Sequence, residues 1–98
     1  MEQISAIKNS DTSAFEKVFN DYFSEVYHHV LNKTQSSYIA EEVTQLTFIK
    51  LWKNRESLKE NVKLNYVIFR IATTTLIDEV RKDNNFHRLI HELGVNSS

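Results

Sequence analysis

The feature that most constrains the fold is an unbroken apolar pattern near the start of the chain. Its members recur at steps of three and four residues, and they are Phe15, Val18, Phe19, Tyr22, Phe23, Val26, Tyr27, Val30 and Leu31. Residues at these steps share one face of an α-helix, so the pattern predicts a long helix with a buried stripe. Aromatic rings at helical spacing usually pack against other helices, and we interpret this stripe as core rather than as a cofactor or base-stacking site.

Apolar residues at helical spacing recur in two later segments. Helix-breaking residues do not interrupt them, since the 98 residues include one Gly and no Pro. A second helix is predicted to run to about residue 55 and to bury Ala40, Val43, Thr47 and Leu51, with Phe48 at the edge. A third is predicted to end near Asp83 and to bury Leu64, Val67, Ile68, Ile71, Ala72, Thr75 and Leu76. Polar segments at 9–13 and 34–37 separate the elements. The prediction is an all-α fold: a compact bundle of three long helices.

Both ends of the chain are expected to carry shorter elements. A lead-in helix is predicted from Ile4 to Lys8. Asn84 and Asn85 are expected to break the third long helix, followed by a short amphipathic segment closed by Gly94. We therefore divide the chain into a helical domain over residues 1–85 and a C-terminal linker segment over residues 86–98.

Several classes of protein are disfavoured by composition. No Cys is present, so disulfides and thiolate metal sites are excluded, and no apolar run is long enough to insert into a membrane. His87 and His91 stand four residues apart but lack a third ligand, and the single Gly rules out a glycine-rich phosphate loop. We expect a cytoplasmic protein with no metal, no cofactor and no enzymatic activity.

The second helix has an outward face of unusual composition. Opposite its core stripe lie Glu42, Gln45, Leu46, Ile49 and Lys53. Two large aliphatic side chains among polar ones suit a docking surface, although an ordinary solvated face also leaves apolar area in water. Both interpretations stay open on this helix alone.

The third long helix also has a distinct outward strip, which carries Tyr66, Arg70, Thr73, Ile77 and Arg81, with Lys63 and Thr74 at its margin. Guanidinium groups contact phosphates, a ring stacks on an unpaired base, and hydroxyls bond base edges, so the mixture suits nucleic acid as well as a solvated face. The charge pattern is consistent with this: residues 1–49 hold three basic and seven acidic residues, a net −4, and residues 50–98 hold nine basic and six acidic residues, a net +3. Asp78 is expected on the packed side.

Three segments together resemble a known family. They are Asn-Ser-Asp-Thr-Ser-Ala-Phe-Glu-Lys-Val-Phe at 9–19, Ala-Glu-Glu-Val-Thr-Gln-Leu-Thr-Phe-Ile-Lys-Leu-Trp at 40–52 and Phe-Arg-Ile-Ala-Thr-Thr-Thr-Leu-Ile-Asp-Glu-Val-Arg-Lys at 69–82. In order and spacing they resemble the successive blocks of region 2 in bacterial sigma factors, most closely the extracytoplasmic-function group. The resemblance covers roughly residues 4–85.

The resemblance implies two partners. The first is core RNA polymerase, whose β′ clamp helices would contact Glu42, Gln45, Leu46, Ile49 and Lys53. The second is the non-template strand of the minus-ten promoter element, which the domain would recognise and help to melt. Its expected contacts are Lys59, Asn61 and Lys63 in the loop at 57–63 and Tyr66, Arg70, Thr73, Thr74 and Arg81 on the third helix. An anti-sigma factor is a further partner that the resemblance implies.

The chain departs from the family pattern at several of these positions. Leu46 stands where an acidic residue is usual, Glu42 where Asp is frequent, Thr73-Thr74 where Arg-Asn is common, and Val67 where Trp is common. These departures keep a second hypothesis open: a sigma-like interaction module that binds polymerase or an anti-sigma factor without reading DNA. A helix-turn-helix duplex binder is disfavoured, because no tight Gly-containing turn joins two short helices. We find no second DNA-binding segment and expect either an excised fragment or a reduced protein.

Overall fold

The computed structural model describes residues 2–94, and within them the chain is helical, with no strand. The α-helices are α1 (Glu2–Lys8), α2 (Thr12–Thr34), α3 (Ser37–Lys53) and α4 (Leu64–Glu92), and a short 3₁₀ turn lies at Arg55–Ser57. The predicted all-α class and three long helices are confirmed.

Local chemistry explains where α2 and α3 begin. Asp11 and Ser36 adopt extended backbone conformations immediately before the two helices. The Oδ1 of Asp11 accepts a hydrogen bond from the Ala14 amide at 3.1 Å, and the Oγ of Ser36 accepts one from the Ile39 amide at 3.2 Å. These bonds satisfy amide groups that a helix leaves free in its first turn. Gln35 ends α2 in the left-handed conformation, with φ of 56°.

The core lies where α2, α3 and α4 meet, with α1 packed against it. The predicted stripes on α3 and α4 are buried in part: Ala40, Val43, Thr47, Leu51, Leu64, Ile68, Ala72 and Thr75 are buried, and so is Phe48, which was expected at the edge. Val67, Ile71 and Leu76, which were predicted to be buried, are half-buried and pack against this cluster. From α2, the core includes Val18, Val26 and Val30. The aromatic residues of α2 are only half-buried and pack on the outside of this cluster. Phe19, which the sequence placed in the core, is therefore a boundary residue.

Arg55 ties the start of the chain to the turn after α3. Its guanidinium stacks on the Trp52 ring, with Cζ 4.2 Å from the ring centroid. Its Nε donates to Ser10 Oγ at 2.9 Å, and its Nη1 donates to the Trp52 carbonyl at 2.9 Å. Ile4 and Ile7 bury the apolar side of α1 almost completely. The predicted lead-in helix is thus an integral part of the bundle.

The expected break at Asn84 and Asn85 is wrong, because α4 continues through both to Glu92. Asn is only a modest helix breaker compared with Gly or Pro, and neither occurs before Gly94. The segment predicted as separate is the distal part of this helix, and Gly94 follows its end with φ of 74°.

The distal half of α4 changes the expected shape. Its last fully buried residue is Thr75, and from Ile77 to Gly94 nearly every residue is exposed. The molecule is accordingly elongated, 54 × 23 × 20 Å, rather than compact. Asp78 is exposed rather than on the packed side, since the helix has already left the core at this point. In the described part of the chain, no helix combines the length and hydrophobicity needed to cross a membrane.

Candidate nucleic-acid cleft and apolar groove

A cleft of about 810 Å³ opens between the C-terminal part of α2 and the N-terminal part of α4. Its lining consists of His29, Lys33, Lys63, Asn65, Tyr66, Phe69, Arg70, Thr73 and Thr74. Three of these nine residues are permanent cations and none is acidic. Five of the predicted nucleic-acid contacts are therefore brought together: Lys63, Tyr66, Arg70, Thr73 and Thr74.

Tyr66 and Arg70 form a hydrogen bond on the exposed side of α4. Arg70 Nη1 donates to the Tyr66 hydroxyl oxygen at 3.2 Å, while the Tyr66 side chain remains largely open to solvent, with 57% of the residue exposed. The spacing of four residues places both on one helix face. An exposed ring beside a guanidinium offers a stacking surface next to a phosphate contact.

Thr73 and Thr74 have their hydroxyl protons engaged within α4. Thr73 Oγ1 donates to the Phe69 carbonyl at 2.9 Å, and Thr74 Oγ1 donates to the Ile71 carbonyl at 3.0 Å. In this arrangement the two hydroxyl oxygens can still accept hydrogen bonds but have no proton to give. They suit a ligand with amino or N–H donors on its edge.

The remaining predicted nucleic-acid residues lie outside the cleft lining. Lys59 and Asn61 are exposed on the loop that precedes α4, which is anchored by the buried Leu58. Arg81 is exposed on α4 but lies two turns beyond Thr74, roughly 10 Å along the axis. A ligand that contacts all three regions must be extended along the helix.

Four cleft residues were missed by sequence reasoning: His29, Lys33, Asn65 and Phe69. Asn65 Oδ1 accepts the Tyr66 amide at 2.9 Å, and the His29 ring meets the Phe69 ring nearly edge-on, with centroids 5.2 Å apart. The spacing of His29 and Lys33, four residues apart on α2, was the available signal. This spacing could be interpreted as part of a site only once α4 was known to pack beside this part of α2.

The outward face of α3 borders an apolar groove of about 290 Å³ between α2 and α3. Phe15, Phe19 and Phe48 line it together with Gln45 and Ile49. Ile49 is 48% exposed, in agreement with its predicted outward position. An open groove with three aromatic residues is a surface onto which an apolar side chain of a partner could pack.

Leu46 departs from the prediction, because it is half-buried rather than outward. It lies one turn before Lys50, whose Nζ donates to the buried Thr75 Oγ1 of α4 at 2.9 Å. The side of α3 that carries Leu46 and Lys50 therefore lies towards α4 and is partly shielded from solvent. Leu46 is a boundary residue, and Ile49 is the exposed aliphatic residue of the α3 face.

The start of α3 carries an acidic depression of about 380 Å³, lined by Tyr38, Glu41, Glu42 and Gln45. Glu41 and Tyr38 were not predicted as site residues. Gln45 also borders the apolar groove, so acidic and apolar surfaces are continuous through it. Lys53 is exposed at the far end of the same helix.

Potential metal ligands do not cluster among residues 2–94. No three side chains of His, Cys, Asp and Glu come together there in an arrangement that could hold a metal ion. His87 pairs with Asp83 at 3.4 Å on the exposed distal part of α4. The fold and these surfaces define an all-α domain with a basic cleft between one pair of helices and an apolar groove between another.

Comparison with known proteins identifies the family. Residues 18–86 match sigma-70 region 2. The chain is also 30% identical over 81 residues to the ECF RNA polymerase sigma factor SigW of Bacillus subtilis (strain 168), which covers 83% of this chain and 43% of that protein. It is 28% identical over 67 residues to the ECF RNA polymerase sigma factor SigM of the same strain, covering 68% of this chain and 40% of that protein. The protein therefore belongs to the sigma-70 region 2 family, as a region 2 domain of the extracytoplasmic-function type.

The chain spans less than half the length of these two curated relatives. No solved structure matches it.

Proposed function

We propose that this chain is the part of an RNA polymerase sigma factor that binds core polymerase through α3 and the unpaired minus-ten non-template strand through the loop before α4 and α4 itself. Family membership and the two relatives named as sigma factors support the role in transcription initiation. The observation that supports DNA binding is the cleft between α2 and α4. Five predicted contact residues, two of them cations, converge there with a third cation, Lys33, and no carboxylate lines the cleft.

The polymerase contact rests on the face of α3. Ile49 and Gln45 border an aromatic groove, and Glu41 and Glu42 stand next to it. An apolar anchor in a groove with carboxylates at its rim is the usual anatomy of a protein interface. The carboxylates would attract a basic partner, such as basic clamp-helix residues, and steer its approach.

A second candidate function is a sigma-like module that binds polymerase or an anti-sigma factor without reading DNA. One observation favours it: the hydroxyl protons of Thr73 and Thr74 are already donated to carbonyl groups of α4, which leaves less capacity for base recognition. DNA binding measured in the presence of polymerase separates the two functions.

The test compares labelled random-sequence single-stranded 12-mers with the corresponding duplexes, with and without bacterial core polymerase. We expect the chain to prefer single strands and to bind them more tightly in its complex with polymerase. Sequences enriched from the random pool then provide a preferred strand, and shuffling its order gives a matched control. A complex that forms with polymerase but shows no strand preference supports the interaction module instead.

Single substitutions assign roles within the site. Arg70→Ala should weaken binding to preferred and shuffled strands alike and reduce the salt dependence, because a lost phosphate contact releases one fewer counterion. Tyr66→Ala should weaken binding to the preferred strand more than binding to the shuffled strand, because one stacked base contributes about 1–3 kcal/mol. Asn61→Ala should follow Tyr66→Ala if the loop contacts base edges. Equal losses on both strands for Tyr66 and Asn61 would reduce the site to a phosphate contact.

A further inference from the structure

The cleft has two walls, and only one of them belongs to the segments expected to contact DNA. The second wall is formed by His29 and Lys33 of α2. We propose that α2 is itself a DNA-contacting helix, in which Lys33 binds a phosphate of the unpaired strand and His29 positions the Phe69 ring beneath one of its bases. This inference rests on the proposed function, and it adds two residues and a path for the strand.

The positions of the two side chains support a shared role. His29 and Lys33 are four residues apart and so lie on one face of α2, one turn from each other. Lys33 is exposed, while His29 is half-buried, with its ring nearly perpendicular to that of Phe69 at a centroid separation of 5.2 Å. His29 thus packs against Phe69 within the lining of the cleft, and Lys33 lines the same cleft from an exposed position.

The charges of the cleft are arranged for an anion. Lys33 on one wall and Lys63 and Arg70 on the other are all exposed, and none of them forms an ion pair with a carboxylate within residues 2–94. Like charges gathered without a counter-charge repel one another, and a bound phosphate relieves the repulsion. The acidic residues of α2, such as Glu25, are absent from the lining.

The dimensions of the cleft suit part of a single strand. About 810 Å³ lies within the range of roughly 300–1,000 Å³ that small-molecule ligands occupy, which is enough for a nucleotide unit. A strand that only crossed the open strip of α4 would pass Tyr66 and Arg70 without approaching α2. A strand that enters the cleft has a base over Phe69 and its backbone between Lys33 and Arg70.

The absence of cysteine in the sequence allows a direct test of proximity. Lys33→Cys and Lys17→Cys each create a single attachment point for a benzophenone photocrosslinker at an exposed position of α2. The two sites lie 16 residues apart, about 24 Å along the helix, and only position 33 lines the cleft. With bacterial core polymerase and a labelled single-stranded 12-mer, we expect crosslinking from position 33 and little from position 17.

Affinity provides the second measurement. Lys33→Gln should weaken binding of the single-stranded 12-mer about three- to tenfold at moderate salt and lower the slope of log affinity against log salt by about 0.7, the value for one phosphate contact on single-stranded DNA. Lys17→Gln removes the same charge from the same helix and should change affinity less than twofold. His29→Ala should weaken the preferred strand more than its shuffled version, because the Phe69 ring beneath the base loses its packing partner. Melting curves for each variant verify that the bundle is intact.

The outcomes separate this inference from the proposed function. If Arg70→Ala weakens binding while Lys33→Gln behaves like Lys17→Gln and position 33 fails to crosslink, the strand follows α4 alone and the role of α2 is refuted. If neither Arg70→Ala nor Lys33→Gln has an effect, or if the strand does not bind at all, the DNA function and the α2 inference fail together. A loss with Lys33→Gln that equals the loss with Lys17→Gln indicates general electrostatic attraction and also refutes the contact.

Discussion

Ile49→Arg tests the polymerase face most directly, and its effect can be worked from the structure. Full burial of an isoleucine side chain contributes about 1.5–3 kcal/mol, and Ile49 is 48% exposed, so a partner that seals the groove gains roughly half of this from the residue. Removing that gain and burying a guanidinium among Phe15, Phe19 and Phe48 both oppose docking. We expect a loss of at least ~1.4 kcal/mol, or about tenfold in the dissociation constant for core polymerase.

A matched control is provided by Ile77→Arg. Ile77 is 45% exposed, is the same residue type, and lies on α4 away from the groove. Both changes should lower stability by no more than ~1 kcal/mol, since each side chain is already about half in water and the aliphatic part of Arg retains some packing. The assay is the affinity of labelled chain for core polymerase without DNA, measured beside a melting curve for each variant.

The two variants give clear ways to refute the reasoning. Equal affinities for the parent chain and Ile49→Arg, with both proteins folded, would show that the groove is not the polymerase contact. An equal loss for Ile77→Arg would show that any added charge disturbs the complex. If Ile49→Arg alone no longer unfolded cooperatively, Ile49 would be needed for the stability of the bundle despite its exposure.

Three further predictions concern stability. Phe48→Ala should cost ~3–5 kcal/mol in the free energy of unfolding by urea, because Phe48 is 2% exposed, whereas the half-buried Phe19→Ala should cost roughly half as much; equal costs would contradict the boundary position of Phe19. Arg55→Ala should cost ~1–2 kcal/mol, because it loses the Trp52 stack and two hydrogen bonds, and faster amide exchange in α1 should accompany it; unchanged exchange would show that Arg55 does not hold α1. Asn84→Pro should reduce the helical circular-dichroism signal yet shift the melting temperature by less than ~4 °C, since the distal part of α4 buries little; a larger shift would show that this part stabilises the bundle.

The sequence by itself determined that three long helices form and roughly where each begins, most of the core faces of α3 and α4, and most of one cleft wall. These features are local: a residue at position i shares a face with residues i+3 and i+4 whatever surrounds the helix. The buried set Ala40, Val43, Thr47 and Leu51 follows from that rule, and so does the exposed pair Tyr66 and Arg70. The polar segment at 9–13 likewise contains the Asp11 cap that starts α2.

Sequence reasoning failed where a local preference was weak or a neighbour decided the outcome. Asn84 and Asn85 favour a break only modestly, and without Gly or Pro the helix continued through them. Leu46 lies on the side of α3 near Lys50, which bonds to α4, so its exposure depends on where α4 packs. Its angular position around α3 was therefore not enough to predict that it is half-buried.

Only the tertiary structure decided which faces meet. Lys33 belongs to the acidic half of the sequence, yet it stands in the same cleft as Lys63 and Arg70 of the basic half. Phe15 and Ile49 likewise share a groove although 34 positions separate them along the chain. Helical periodicity specifies directions around a single axis, whereas a cleft or groove depends on the distance and angle between two axes, which the packing of the whole core sets.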